Sequence, residues 1–121
     1  MIVLGIMVAG AAGALVRYLV DIAVTSRCGR TFPWGTLVIN ASGSAVLGVL
    51  TGLTLYHGFP HTPATILGTG FCGGYTTFST SMVDTVRLAR AEEHSLAVGN
   101  VLANVLLAVA AAGIGMAAAA R

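Results

Sequence analysis

The sequence predicts an all-α membrane protein with four transmembrane helices, on three observations. Of its 121 residues, 56% are hydrophobic and only 8% are charged, whereas soluble domains devote about a quarter of their residues to charge. The apolar residues form four segments, each close to the roughly 20 residues that cross a bilayer. None of these segments alternates polar and apolar residues with the period of two that a strand requires.

The four predicted spans cover residues 2–24, 34–56, 64–86 and 95–120. The connections TSRCGRTFP, HGFPHTP and RLARAEEH are short, and each contains proline or charged residues that stop a helix. A chain of this length with four spans has no room for a soluble domain. Residues 1–121 are therefore predicted to form one transmembrane domain in the cell membrane.

The first span carries small residues every four positions, at Gly5, Ala9 and Gly13, and the same face continues to Arg17. In lipid, such residues let helix backbones approach closely, so this face is predicted to be a packing seam. Arg17 has two interpretations. Either its side chain reaches the membrane surface near the end of its helix, or it supplies positive potential to an aqueous mouth that attracts anions.

The second and fourth spans carry polar residues at helical intervals. In the second span, small and polar residues recur every four positions: Thr36, Asn40, Ser44, Gly48 and Gly52. In the fourth span, Asn100 and Asn104 lie one turn apart. An amide without a partner in hydrocarbon is costly. The three asparagines are therefore predicted to face the protein interior, a partner subunit or a water-filled path.

The third span contains the stretch GFCGGYTTFSTS, in which Gly73 and Gly74 precede a cluster of hydroxyl-bearing residues. Because glycine tolerates unusual backbone angles, the helix is predicted to break at this pair, in mid-membrane. The freed carbonyls suit a hard cation such as sodium, and the freed amides and hydroxyls suit an anion. The ring edge of Phe78 also suits an anion. The alternative is a glycine packing contact whose hydroxyls bond to their own helix.

This stretch resembles the third-helix signature of the CrcB/Fluc family of fluoride channels, a glycine pair, one further residue, and then TTFSTF. Other matches are GALVRY around Arg17, GTLVINASGS from Gly35 to Ser44, and the pair Asn100 and Asn104. The resemblance covers the whole chain. It implies an antiparallel dimer of four-helix subunits with two fluoride pores along the subunit boundary, which let fluoride leave the cytoplasm passively.

The resemblance also assigns roles to individual residues. A structural sodium ion, which is not transported, is implied at the centre of the dimer, held by the backbone carbonyls of Gly73 and Thr76. Arg17 matches the first-helix arginine of the family, at the anion vestibule. The implied fluoride pore comprises eight residues: Asn40, Thr77, Phe78, Ser79, Thr80, Ser81, Asn100 and Asn104.

Two departures from the family pattern bear on the dimer. Ser81 stands where the family has its second pore phenylalanine, and Ala108 and Ala112 stand at polar positions of the fourth helix. Both pores of a homodimer would therefore lack the second phenylalanine ring and these polar side chains. Arginine placement is also uneven, because the first and third connections hold four arginines and the opposite side only one: Arg27, Arg30, Arg87 and Arg90 against Arg121.

Positively charged residues favour the cytoplasm, so both termini are predicted to lie outside. An antiparallel homodimer would need a chain that inserts in both orientations. We therefore expect a heterodimer with a homologous subunit of the opposite orientation.

Other classes of function fit the sequence less well. Six scattered arginines and a net charge of +2 do not indicate nucleic-acid binding, and no catalytic motif indicates an enzyme. A small multidrug-type proton-coupled exporter needs a carboxylate within the membrane, but Asp21 and Asp84 lie near the ends of their spans. A non-transporting assembly protein would leave the hydroxyl cluster of the third span without a purpose.

Overall fold

The computed structural model describes all 121 residues and is entirely helical apart from its connections. Helices α1 (Ile2–Cys28), α2 (Trp34–His57) and α6 (His94–Ala119) are each long and apolar enough to cross a membrane. They correspond to the first, second and fourth predicted spans, with ends that differ by at most four residues. Each is a single uninterrupted helix.

The third predicted span is divided into shorter elements. It contains α3 (His61–Thr65), a π-helical stretch (Ile66–Cys72), α4 (Gly73–Tyr75) and, after two extended residues, α5 (Phe78–Arg90). The extended residues are Thr76, with ψ 159°, and Thr77, with φ −150° and ψ 123°. The predicted position of the break at the glycine pair is wrong, because both glycines are helical, Gly73 with φ −62° and ψ −38°.

The glycine at position 74 instead allows two helices to touch. A Cβ there would overlap the carbonyl oxygen of Gly10 on α1 and lie 3.0 Å from Gly10 Cα. A Cβ on Gly73 would meet nothing within 4 Å. The packing alternative is therefore correct for Gly74. The helix ends two residues later, where Thr76 and Thr77 are extended.

The predicted seam of α1 is confirmed. A Cβ on Gly13 would overlap the carbonyl oxygen of Phe71 and lie 2.9 Å from the backbone nitrogen of Tyr75, and one on Gly5 would lie 2.8 Å from Ile66 Cδ1. Small residues on this face therefore bring α1 against the π-helical stretch and α4.

Helices α2 and α6 pack by the same means. A Cβ on Gly48 would overlap the carbonyl oxygen of Ala112, and one on Gly52 would lie 2.8 Å from the carbonyl oxygen of Met116. The C-terminal part of the predicted α2 stripe, Gly48 and Gly52, is thus confirmed as a packing seam.

The interior of the protein is more polar than its exterior. Its buried hydrophobic residues number five, whereas six buried residues are polar or charged: Thr36, Thr77, Ser81, Asp84, Asn100 and Asn104. Large apolar side chains such as Leu4 and Val109 lie on the outside, 60% and 69% exposed. This distribution, together with three long apolar helices, is that of a multi-pass membrane protein.

Candidate functional site at the helix interruption

A cavity of about 510 Å³ lies beside the interruption, between α2, the third segment (residues 61–90, from α3 through α5) and α6. Seven of the residues predicted for the pore or the sodium site line it: Asn40, Gly73, Thr76, Thr77, Phe78, Ser81 and Asn104. The other four predicted residues do not: Arg17, Ser79, Thr80 and Asn100. Sequence reasoning thus identified seven of the 16 lining residues, from three parts of the chain that are distant in sequence.

Asn40 of α2 holds the interruption in place. Its Oδ1 accepts a hydrogen bond from the Thr77 N–H at 2.8 Å, and its Nδ2 donates to the Thr77 carbonyl at 2.9 Å. In a continuous helix the Thr77 N–H would donate to the Gly73 carbonyl. The side-chain amide of Asn40 therefore substitutes for helical partners, and Thr77 can remain extended without an unsatisfied backbone group.

The three asparagines form one connected network. Asn40 Nδ2 also donates to Asn104 Oδ1 at 2.9 Å, and Asn104 Nδ2 donates to the backbone oxygen and Oδ1 of Asn100 at 2.9 and 3.0 Å. Asn100 Nδ2 donates to the Ser81 carbonyl at 3.2 Å and to Thr85 Oγ1 at 2.9 Å. Of the alternatives predicted for the three asparagines, the protein interior is confirmed for Asn100, which is 0% exposed, and for Asn104, which is 9% exposed, whereas Asn40 is partly buried and lines the cavity.

The predicted hydroxyls gather at the N-terminus of α5. Thr77 caps this helix, because its Oγ1 accepts from the Thr80 N–H at 3.2 Å, and it also donates to Thr80 Oγ1 at 3.1 Å. Ser79 Oγ lies 3.4 Å from Thr77 Oγ1. Phe78, Ser79 and Thr80 are exposed on the outside of the protein, Phe78 by 78%.

Arg17 lies against the interruption. Its Nη1 is 3.4 Å from the Thr76 carbonyl, and its side chain is half-buried between α1 and the third segment. The guanidinium is thus directed toward the extended residues and adds positive charge beside them.

A second, polar cavity of about 490 Å³ lies near the first and third connections. In its lining, Asp84 is 8% exposed, and its carboxylate accepts from Thr36 Oγ1 at 2.9 Å and lies 3.5 Å from Arg87 Nη1. Sequence reasoning missed this site, although Asp84 and Arg87 stand three residues apart on a helix. Thr80 lines this cavity and bonds to Thr77, which lines the first.

Comparison with known proteins agrees with the resemblance in the third span. The family model described as CrcB-like protein, Camphor Resistance (CrcB), matches residues 4–116. A Mycobacterium bovis protein named "Fluoride-specific ion channel FluC 2" is 46% identical over 112 residues, which are 93% of this chain and 86% of the relative.

Two further relatives carry similar names. "Fluoride-specific ion channel FluC 1" of Leifsonia xyli subsp. xyli is 45% identical over 116 residues, 96% of this chain and 85% of the relative. "Fluoride-specific ion channel FluC" of Nitrobacter winogradskyi is 40% identical over 110 residues, 90% of this chain and 87% of the relative. The motif of the third span, the matched range and these identities over nearly the full length together establish that the chain belongs to the CrcB family.

Proposed function

We propose that the chain is a subunit of a fluoride-specific channel that lowers cytoplasmic fluoride by passive efflux. The observation that supports this most directly is the interrupted third segment, whose hydroxyl-bearing residues adjoin a cavity, in a chain with relatives named as fluoride channels. That cavity is lined by no carboxylate, which a proton-coupled exporter would need. The cavity therefore favours an anion path over the exporter alternative.

Several weak donors at the interruption suit a small, strongly hydrated anion. Hydroxyl groups replace water around the ion, the N-terminus of α5 adds positive potential, and the ring edge of Phe78 adds a further favourable contact. Arg17 contributes a full positive charge nearby. Since hydrogen fluoride crosses membranes as a weak acid and dissociates in a more alkaline cytoplasm, a passive path is sufficient for the trapped anion to leave.

The residues of this chain fit the structural sodium ion that the family resemblance implies. Because the Thr77 N–H donates to Asn40, the Gly73 carbonyl loses its usual helical donor. The Thr76 carbonyl also lacks its usual helical donor, because the Thr80 N–H donates to Thr77 Oγ1, and its one side-chain contact is with Arg17 Nη1 at 3.4 Å. Backbone carbonyls are suitable ligands for a hard cation, so Gly73 and Thr76 would hold the ion. When bound, sodium supplies a fixed positive charge beside the anion path.

We further propose that the subunit works in an antiparallel dimer with a homologous second subunit. In support, Phe78 is 78% exposed next to the cavity, where one subunit alone leaves it uncovered. Ser81 replaces the second aromatic residue of the family motif, and the arginines are unevenly distributed between the two sides. A partner of opposite orientation would supply the missing ring and complete one working pore.

Fluoride efflux from liposomes tests the channel proposal. Reconstituted with a homologous subunit encoded in the same organism, the chain is expected to release fluoride and to retain chloride, whereas the chain alone is expected to release neither ion. Efflux only with the second subunit would support the heterodimer, and efflux by the chain alone would contradict it. Folded protein that releases no fluoride in either form would contradict the channel function itself.

Thiol labelling tests the orientation. Cys28 is exposed beside Arg27 and Arg30, and Cys72 is 3% exposed. If the termini lie outside, a membrane-impermeant maleimide is expected to label Cys28 only after cells are opened. The Cys28→Ser variant is the control and should remain unlabelled. Labelling of about half of the Cys28 thiols in intact cells would mean insertion in both orientations, against the arginine count.

A further inference from the structure

We infer that the hydroxyls of Ser44 and Ser81, and not the amides of the three asparagines, donate hydrogen bonds to the permeant anion in the cavity of this chain. The inference rests on the proposed function and assigns the ligands within it. Most polar hydrogens around the cavity already have acceptors within the chain, and those of Ser44 and Ser81 do not.

Every hydrogen of the three asparagine side-chain amides is already donated to an acceptor within the chain. An amide nitrogen carries two hydrogens, and each of the three nitrogens donates to two acceptors within the subunit. For Asn40 these acceptors are the Thr77 carbonyl and Asn104 Oδ1. A fluoride ion would have to break one of these bonds to receive an amide hydrogen. The amides therefore act as the frame of the site and not as its ligands.

The hydroxyls that line the cavity divide into two pairs. Thr76 Oγ1 donates to the Cys72 carbonyl at 2.9 Å, and Thr77 Oγ1 donates to Thr80 Oγ1. Ser44 and Ser81 line the same cavity, but neither side chain makes a hydrogen bond within the subunit. These two hydroxyls are therefore free to donate to an anion bound in the cavity.

This freedom is unusual for a buried hydroxyl such as that of Ser81. Thr51, Thr54 and Thr85 each donate to the carbonyl four residues earlier, which is the common arrangement within a helix. Ser81 makes no such bond, although it is 2% exposed, and its Oγ is the one buried side-chain polar atom without a partner. A buried hydroxyl without a partner is unfavourable, and an anion in the cavity would supply the missing acceptor.

The position of Ser81 suits a negative charge. It lies in the first turn of α5 (Phe78–Arg90), where the unpaired N–H groups and the helix dipole favour anions. It also stands where the family motif has a phenylalanine. In this chain a hydroxyl donor has thus replaced a ring edge, and Ser44 on α2 supplies a second donor to the same cavity.

Alanine substitutions test the inference in the assembly that conducts, whether the chain alone or the chain with a homologous subunit. Ser44→Ala and Ser81→Ala are each expected to raise the fluoride concentration for half-maximal efflux about tenfold, the usual effect of losing one charged hydrogen bond. Thr51→Val is the matched control on α2, because its hydroxyl is bonded to the Leu47 carbonyl. It should match the wild type. Ser44→Thr and Ser81→Thr, which keep the hydroxyl, should retain most of the affinity.

Thermal unfolding without fluoride separates a ligand from a structural role. Ser81→Ala is expected to be at least as stable as the wild type, because it removes a hydroxyl that bonds to nothing. A clear loss of stability would overturn the inference, as would wild-type fluoride affinity in both alanine variants. Wild-type protein that releases no fluoride in any assembly, in contrast, would overturn the proposed function before any variant is compared.

Discussion

Gly115→Ala is expected to force α6 away from α2 and to destabilise the folded protein strongly. A Cβ at this position would overlap the carbonyl oxygen of Ala45 and lie 3.0 Å from the backbone nitrogen of Val49. Both atoms belong to the α2 backbone, so no side-chain rotation relieves the clash. Overpacking typically costs about 1–3 kcal/mol and occasionally more, and a clash with backbone atoms falls at the upper end of this range. Thermal unfolding in detergent and the elution profile in size-exclusion chromatography would measure the loss.

Gly113→Ala is the matched control, two residues earlier on the same helix. A Cβ there meets nothing within 4 Å, and alanine favours the helix more than glycine does. This variant should therefore be as stable as the wild type or slightly more so. Equal losses in the two variants, or no loss in either, would contradict the close packing of α2 and α6.

Asn40→Leu is expected to release the interruption of the third segment and to abolish fluoride efflux. The substitution removes the partners of the Thr77 N–H, the Thr77 carbonyl and Asn104 Oδ1. Three lost bonds at about 0.6–1 kcal/mol each, plus the penalty for groups left unpaired, give a loss of about 2–4 kcal/mol. Thermal unfolding would measure this loss, and hydrogen exchange at the Thr77 amide would report on the interruption itself.

Asn40→Asp separates the acceptor role of this side chain from its donor role. Aspartate keeps an oxygen for the Thr77 N–H but lacks the amide hydrogens that bind the Thr77 carbonyl and Asn104. The Thr77 amide should thus exchange slowly in the aspartate variant and quickly in the leucine variant. Slow exchange in Asn40→Leu would mean that another contact holds the extended residues.

Local sequence patterns were sufficient to predict the parts of the fold that depend on one helix at a time. Intervals of four identified the seam of Gly5 and Gly13 and the contact faces of Gly48 and Gly52. Composition and length identified the three long helices. In lipid, the packing of a helix follows closely from where its small residues lie, so these features could be predicted without knowledge of the partners.

The features that sequence reasoning missed depend on two helices together. The position of the interruption is set by Asn40, 37 residues away, which takes the Thr77 N–H. No local signal indicates that the helix continues through Gly73 and Gly74 and ends after them. The bond between Thr36 and Asp84, 48 residues apart, is of the same kind. The sequence places Ser44 only in the small and polar stripe of α2. That its hydroxyl has no hydrogen-bond partner can be recognised only when the positions of all neighbouring groups are known.

The reversed distribution of polarity also determines how stability responds to temperature. Water-soluble proteins expose apolar surface to water when they unfold, which gives a large positive heat-capacity change and a curved dependence of free energy on temperature. In this subunit, five hydrophobic residues are buried, and separated helices would keep their apolar side chains in lipid. The heat-capacity change should therefore be small and the stability curve nearly straight, without the loss of stability on cooling that water-soluble proteins show.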